Sequence, residues 1–186
     1  MIVQTSKSVE RLPASTNHIH YHRGDLFKAP NTYIGHGVNC CGVMGSGIAK
    51  AFRALYEKEV YDPYKELCDR NRGVSHYIGG SAQILPLNKE ETRFAVNLFT
   101  QYYPGANAKL DLIAGALDDF ISNVRSHPER YPYKPLAIPA IGAGIGGLRW
   151  EDVANVLERV AKDAPPFCDE STGGNCRPYY FDVYFL

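Results

Sequence analysis

The sequence lacks the long hydrophobic runs and the excess charge that would indicate a membrane or a polyanionic partner. No apolar run approaches the roughly 20 residues that a membrane-spanning helix needs. The amino-terminal stretch MIVQTSKSVERLPASTNH has no apolar core of the kind found in signal peptides. Lysine plus arginine and aspartate plus glutamate number 20 each. We therefore expect a cytoplasmic protein with no membrane contact and no general affinity for nucleic acid.

Close-spaced cysteine pairs are also missing. The five cysteines, Cys40, Cys41, Cys68, Cys168 and Cys176, form no CxxC motif, so no zinc or other metal site is predicted. Cys40 and Cys41 are interpreted as small buried thiols. Cys168 and Cys176 share a polar loop and could approach each other, but the expected cytoplasmic location argues against a standing disulfide.

Motifs of several common enzyme classes are absent as well. There is no GK[ST] phosphate loop, no GxSxG elbow and no HExxH helix. Gly142, Gly144 and Gly147 satisfy GxGxxG between a strand and a helix. Only one strand follows them, however, so the second half of a dinucleotide fold and its ribose-binding acid cannot be placed. These absences argue against a nucleotide triphosphatase, a serine hydrolase, a zinc protease and a nicotinamide dehydrogenase.

The most informative stretch is Tyr33 to Phe52, YIGHGVNCCGVMGSGIAKAF. It is typical of a short apolar strand, a glycine-rich turn and the start of an amphipathic helix. Glycine lets a ligand approach the backbone closely, and free backbone N–H groups at a helix N-terminus attract anions. The turn therefore indicates either a phosphate site built from backbone or a tight strand-to-helix connection without a ligand.

Strands and helices alternate along the rest of the chain. Alternation or short apolar runs predict strands near 18–23, 33–38, 81–85, 93–100, 136–138 and at the closing PYYFDVYFL, with 81–85 and 93–100 forming a hairpin. Helical spacing predicts helices over 47–56, 64–71, 110–124 and from 151 onward. We expect one α/β domain over residues 1–186, a three-layer α/β/α fold with a mixed central sheet, and a loose extension at 1–17.

A second glycine loop, PAIGAGIGGL, follows the strand that ends at Ile138. Both glycine loops follow strands, so both are expected at the carboxyl edge of the sheet, where open α/β sheets bind ligands. One cleft lined by the two loops is the simplest arrangement.

The motifs GDLF, VNCCGVMGSGIAKAF and IPAIGAGIGGLRWEDV together resemble the macro domain, an ADP-ribose-binding α/β module. The resemblance covers about residues 19 to 160 and the final strand. It implies that Asp25 binds the adenine amino group, although an Asp here could equally cap its own turn. It also implies that Asn39 holds the distal ribose, while the two loops enclose the diphosphate.

The ligand-binding residues implied by the resemblance lie after the first strand, in the two loops and at the end of one inner strand. They are Asp25, Leu26, Cys40, Gly42, Val43, Met44, Gly45, Ser46, Gly47, Ile48, Thr100, Ile141, Gly142, Ala143, Gly144, Ile145 and Gly146.

Within that family, IGHGVNC and NLFTQYYPG are most similar to small stand-alone proteins: ADP-ribose 1''-phosphate phosphatases, terminal ADP-ribose glycohydrolases and antitoxins that remove ADP-ribose from DNA. Two departures matter. The glycohydrolase type has a catalytic Asp where this chain has Gly146. The glycohydrolases and the antitoxins use a Lys where this chain has Gln101. A mechanism that depends on the Lys and the Asp is therefore not expected.

These considerations favour hydrolysis of the terminal phosphate of ADP-ribose 1''-phosphate. Removal of ADP-ribose from protein or nucleic acid, and non-catalytic ADP-ribose binding, are the alternatives. The expected partners are ADP-ribose or its 1''-phosphate, and ADP-ribosylated macromolecules for the alternatives. No cofactor is required by any feature of the sequence.

Histidine, asparagine and tyrosine side chains are also assigned by type and position. His36 and Asn39 are the candidate catalytic residues, with His36 activating water or protonating the leaving group, or else serving as a hydrogen-bonded strand histidine. Tyr102 or Tyr103 is the candidate aromatic substrate contact. His18, His20 and His22 alternate along a strand and are interpreted as one solvated face rather than a metal site.

Overall fold

A computed structural model describes residues 12–169 and 174–186. The predicted loose extension at 1–17 falls mostly outside these residues. The part that is described, from Ser15 onward, is tied to the first strand, because the Ser15 and Thr16 hydroxyls accept hydrogen bonds from the N–H groups of Tyr21 and Ile19. Within the described residues no helix is both long enough and apolar enough to span a bilayer.

Six strands form a mixed sheet in the order β1-β8-β5-β2-β4-β3. The first five run parallel, and only β3 is antiparallel to its neighbour β4. The sheet strands are β1 (Ile19–Arg23), β2 (Tyr33–Asn39), β3 (Ala82–Pro86), β4 (Phe94–Gln101), β5 (Leu136–Pro139) and β8 (Phe181–Phe185).

Helices cover both faces of this sheet, as a parallel sheet with buried faces requires. On one face, α3 and α4 pack against strand residues such as Phe94 and Leu136. On the other, α1 and α2 pack against Ile34 and Phe99. The helices are α1 (Gly47–Leu55), α2 (Asp62–Arg70), α3 (Leu110–Ser126) and α4 (Trp150–Asp163). The expected three-layer α/β/α architecture with a mixed sheet is confirmed.

The boundaries of most elements agree with the sequence pattern. A short π-helical turn, Glu57–Tyr61, joins α1 to α2 and was not foreseen. The predicted hairpin of β3 and β4 is present. The histidines of β1 differ from expectation, because they are half-buried rather than simply solvated. The Nε2 atom of His22 lies 2.6 Å from a carboxylate oxygen of the largely buried Asp182, and the His20 ring packs on Tyr180.

The prediction that Cys168 and Cys176 stay reduced is wrong for this structure. The two residues face each other across a small separate hairpin of β6 (Phe167–Asp169) and β7 (Asn175–Arg177) and form a disulfide. Strand pairing places the sulfurs together, whereas the sequence argument relied on the compartment alone.

Among the described residues, β6 and β7 pair only with each other, so the disulfide acts locally. Replacing both cysteines with serine is expected to lower the free energy of unfolding by about 2–3 kcal/mol, because the two cysteines are separated by only 8 positions and a short loop gains little from closure. Urea unfolding of the double variant, and of the wild type with and without a reductant, measures this difference. A loss well above that range would mean that the hairpin supports the main sheet.

Candidate functional site

The two glycine loops lie side by side at the carboxyl edge of the sheet. The first follows β2 and the second follows β5, and these strands are direct neighbours. Gly42 and Gly142 open the two loops with positive φ angles of 73° each, which L side chains rarely adopt. The loops meet across the cleft, because a Cβ atom added at Gly47 would lie 3.1 Å from Cδ1 of Ile145.

A cavity of about 290 Å³ opens between the loops. The structure brings much of the predicted ligand-binding set to its wall. These residues are Asn39, Val43, Gly45, Ser46, Gly47, Ile48, Thr100, Ile141, Gly142, Gly144, Ile145 and Gly146.

Other members of the predicted set do not line this cavity. They are Asp25, Leu26, His36, Cys40, Gly42, Met44 and Ala143. Leu26, Cys40 and Met44 are buried in the core beside α1 and α2. The Asp25 carboxylate accepts a hydrogen bond from the N–H of Phe27 and so caps its own turn, at the end of a strand separated from β5 by β8.

His36 is fully buried and does not reach the cavity. Its ring stacks on Phe52 of α1 with centroids 3.9 Å apart. Nε2 lies 2.8 Å from the Oδ1 atom of Asn97, whose own amide donates to Gln83. Asn97 is thereby oriented as the acceptor, and His36 donates from Nε2. The structure therefore does not support His36 as a catalytic residue and agrees with the alternative interpretation, a hydrogen-bonded strand histidine in the core.

Burial also removes the acid–base capacity expected of His36. Desolvation lowers its pKa from 6.5 to about 3, outweighing the hydrogen bond with Asn97, which acts in the opposite direction. The Nδ1 atom has no hydrogen-bond partner among the described residues. A neutral, enclosed imidazole cannot exchange protons with a ligand in the cavity.

Asn39 lines the cavity and also shapes the first loop. Its Oδ1 accepts from the N–H groups of Cys41 and, more weakly, Val43, while Nδ2 donates to the Val43 carbonyl at 2.7 Å. The buried hydroxyl of Tyr64 on α2 donates to the Asn39 carbonyl at 2.9 Å and accepts from the Val43 N–H at 3.0 Å. The hydrogen bonds of Asn39 and Tyr64 therefore fix the conformation of the first loop without a ligand.

Removing this hydroxyl should loosen the loop. Tyr64→Phe leaves the Val43 N–H and the Asn39 carbonyl without that partner, so we expect the free energy of unfolding to fall by about 1–3 kcal/mol. Chemical denaturation checks this value. Tyr61→Phe is the matched control, because the Tyr61 hydroxyl makes only one long contact, 3.4 Å from the Gly42 carbonyl. Equal losses in both variants would contradict the support assigned to Tyr64.

The cavity wall presents unused backbone donors. Within the described chain, the N–H groups of Gly45, Ser46, Gly47 and Ile48 donate to no protein acceptor. Ser46 is the N-cap residue of α1, and Gly47 and Ile48 begin its first turn, where helix geometry leaves N–H donors unsatisfied. The Ser46 side chain does not cap the helix either. This end of α1 favours an anion.

Among the described residues that line the cavity there is no Asp, Glu, Lys, Arg, His, Cys or Tyr, and so no charged or ionisable acid–base side chain. The polar side chains at the wall are those of Asn39, Ser46, Thr100 and Gln101. Recognition at this site must therefore come from backbone groups, hydroxyls and neutral amides.

Sequence reasoning missed part of the wall. The additional lining residues are Gly37, Val38, Ala49, Gln101, Pro104, Gly105, Pro139 and Ala140. Pro104 and Gly105 belong to the loop after β4. This strand is the neighbour of β2 on the side opposite β5, so its loop also reaches the cavity. Of the candidate aromatic contacts, Tyr102 packs against Gly79 and Tyr103 is 63% exposed, and neither lines the cavity.

Comparison with known proteins identifies the family. The sequence profile described as Macro domain matches residues 36–157, and the chain belongs to this family. The DNA ADP-ribosyl glycohydrolase of Mycobacterium tuberculosis is 32% identical over 147 residues, which cover 79% of this chain and 40% of that protein. The chain thus spans about 40% of the length of this relative.

Shorter relatives and solved structures are also similar. The ADP-ribose 1''-phosphate phosphatase of Lodderomyces elongisporus is 27% identical over 154 residues, covering 76% of this chain and 92% of that protein. The solved macrodomain of Mycobacterium tuberculosis DarG superposes with a TM-score of 0.68 at 26% identity, covering 90% of this chain and 97% of that one. The curated relatives named here are thus hydrolases of ADP-ribose derivatives.

Proposed function

We propose that the cavity binds ADP-ribose and that the protein hydrolyses the terminal phosphate of ADP-ribose 1''-phosphate. One observation carries the proposal: four cavity-lining residues, Gly45 to Ile48, have backbone N–H groups without a protein acceptor, and no charged side chain belongs to the described residues that line the cavity. A diphosphate is an anion that such donors and the dipole of α1 can hold without a lysine or arginine. The similarity to an ADP-ribose 1''-phosphate phosphatase supports the substrate class.

The proposed reaction uses water as the nucleophile. The water oxygen attacks phosphorus in line, the bond from phosphorus to the ribose oxygen breaks, and the water proton passes through a phosphate oxygen to the leaving ribose oxygen. Backbone donors stabilise charge on the phosphate oxygens. The Asn39 amide keeps a second Nδ2 hydrogen, beyond the one given to Val43, for a hydroxyl of the distal ribose.

A second candidate is removal of ADP-ribose from DNA or protein. The 32% identity to a DNA ADP-ribosyl glycohydrolase favours it. Against it, Gln101 and Gly146 occupy the positions where a lysine and an aspartate would be expected, and neither can act as a base or a nucleophile at neutral pH.

Product analysis separates these functions. The protein is incubated with ADP-ribose 1''-phosphate, ADP-ribosylated DNA and ADP-ribosylated protein, while inorganic phosphate and free ADP-ribose are followed. Phosphate release from the first substrate is expected. Asn39→Ala should reduce it, and Asn88→Ala, which alters a surface turn between β3 and β4, should not. Release of ADP-ribose without phosphate would support the second candidate.

Calorimetry with ADP-ribose completes the test. Binding without turnover of any substrate would indicate a non-catalytic reader. A lack of binding would overturn the assignment of the cavity itself.

A further inference from the structure

Gln101 is held in one orientation by the loop that follows it. Its Nε2 donates to the carbonyl oxygens of Tyr103 at 2.7 Å and Gly105 at 3.3 Å. Both amide hydrogens are therefore used. The Oε1 atom accepts no hydrogen bond from the described residues, and Gln101 is one of the residues that line the cavity. The free functional group of Gln101 is thus an acceptor whose position is fixed by its own donors.

A strand irregularity places this acceptor beside Asn39. The register of β2 and β4 shifts between Val38 and Asn39, so Asn39 pairs with Gln101 rather than with Thr100. A bulge of this kind re-aims a side chain at the end of a strand. Both residues line the cavity, so two residues with neutral amide side chains occupy paired positions on adjacent strands at its wall.

The Oε1 atom of Gln101 is not needed to anchor the loop. Anchoring the Tyr103–Gly105 turn needs only the Nε2 donors, and Asn107 already ties the same turn through the Pro104 carbonyl at 2.7 Å. A free acceptor oxygen repels phosphate oxygens and attracts a hydroxyl or water hydrogen. The group that Gln101 suits is therefore a neutral O–H donor next to the ligand anion.

We propose that Gln101 Oε1 holds the attacking water as a positioning residue in the hydrolysis, an inference that rests on the proposed function. The water donates one hydrogen to Oε1 and directs a lone pair at the reacting atom, while Gln101 stays neutral and gains no proton. A glutamine can orient water for attack on a phosphoryl group without acting as a base. None of the described residues that line the cavity has an ionisable side chain for that task.

Two substitutions separate the acceptor from the anchor. Gln101→Glu keeps an acceptor oxygen but loses both donors, and Gln101→Met loses both functions. If Oε1 positions water, Gln101→Met should lower kcat about tenfold or more with KM changed less than threefold, equivalent to losing one hydrogen bond in the transition state. Gln101→Glu should retain a larger share of kcat than Gln101→Met, because it keeps an acceptor oxygen even though the lost donors no longer fix its position. It should also acquire an acidic limb in its pH profile near the carboxyl pKa of about 4.3.

Asn107→Ala is the control for the turn. It removes the parallel anchor at the Pro104 carbonyl, and Asn107 itself does not line the cavity, so kcat should stay within twofold of wild type. Thermal melting and ADP-ribose calorimetry of all variants verify folding and binding.

The outcomes are distinct. Equal losses of kcat in Gln101→Glu and Gln101→Met would mean that Gln101 only anchors the loop, and would overturn the inference. No phosphate and no ADP-ribose release by the wild-type protein would overturn the proposed hydrolysis and this inference together. Wild-type turnover with an unaffected Gln101→Met would overturn the inference alone.

Discussion

Replacing His36 with alanine is expected to lower the free energy of unfolding by about 3–5 kcal/mol, a large share of a typical domain's stability. The substitution removes a ring stacked on Phe52 in a fully closed part of the core. It also leaves the buried Oδ1 of Asn97 without its donor. Chemical denaturation measures the loss, and the exposed His127→Ala is the control, with less than 1 kcal/mol expected.

His36 also makes the free energy of unfolding depend on pH under acidic conditions. Because burial lowers the folded pKa to about 3, below the ordinary value of 6.5, the unfolded chain binds the extra proton between these values. The contribution of His36 to stability is complete above pH 6.5 and is lost as the pH falls toward 3, by about 1.4 kcal/mol per pH unit. His36→Phe, which keeps an aromatic ring but cannot titrate, should flatten this slope by the equivalent of one proton.

These experiments also separate a structural role from a catalytic one. A core role predicts that His36→Phe, if folded, retains turnover and the wild-type pH dependence of kcat. A folded variant with wild-type stability and no turnover would instead restore His36 to the chemistry.

The misplacement of His36 shows where sequence reasoning fails. Strand alternation predicts that His36 points opposite to Gly35 and Gly37, but it does not say which face meets the ligand. Gly37 lines the cavity, and a Cβ there would lie 2.7 Å from the Thr100 hydroxyl, whereas His36 faces Phe52. The choice between faces depends on how α1 folds back over β2, which is a tertiary fact.

The two glycine loops could be predicted because their signal is local. Small residues after an apolar strand, followed by helical periodicity, define a strand–turn–helix unit, and two such units in a parallel sheet must share an edge. The position of Gln101 could not be predicted in this way. Gln101 pairs with Asn39 because the register of β2 and β4 shifts, and the hydrophobic pattern of neither strand indicates this shift. The Cys168–Cys176 disulfide likewise depends on hairpin pairing within a polar segment.

At Gly146, the backbone of the second loop leaves no room for the side chain of an acidic residue. A Cβ atom added there would lie 2.6 Å from the Gly142 carbonyl oxygen, 3.0 Å from the Gly142 Cα and 2.8 Å from the Ala108 Cβ. Two of these atoms are backbone and cannot yield without reshaping the loop. The loop is also tied to the segment just before α3 through Gly146, whose carbonyl accepts from the Ala108 N–H.

Gly146→Ala is therefore expected to destabilise the fold by about 1–3 kcal/mol, as overpacking does, and to weaken ADP-ribose binding at least tenfold by distorting the loop. Gly144→Ala is the matched control for stability, because nothing lies within 4 Å of a Cβ at that position; its melting temperature should equal that of wild type. Gly146→Asp should show the same defects and gain no release of ADP-ribose from DNA or protein. A stable, tightly binding Gly146→Asp that releases ADP-ribose would show that the loop can open to accept a carboxylate, and would shift the assignment from phosphate hydrolysis toward glycohydrolysis.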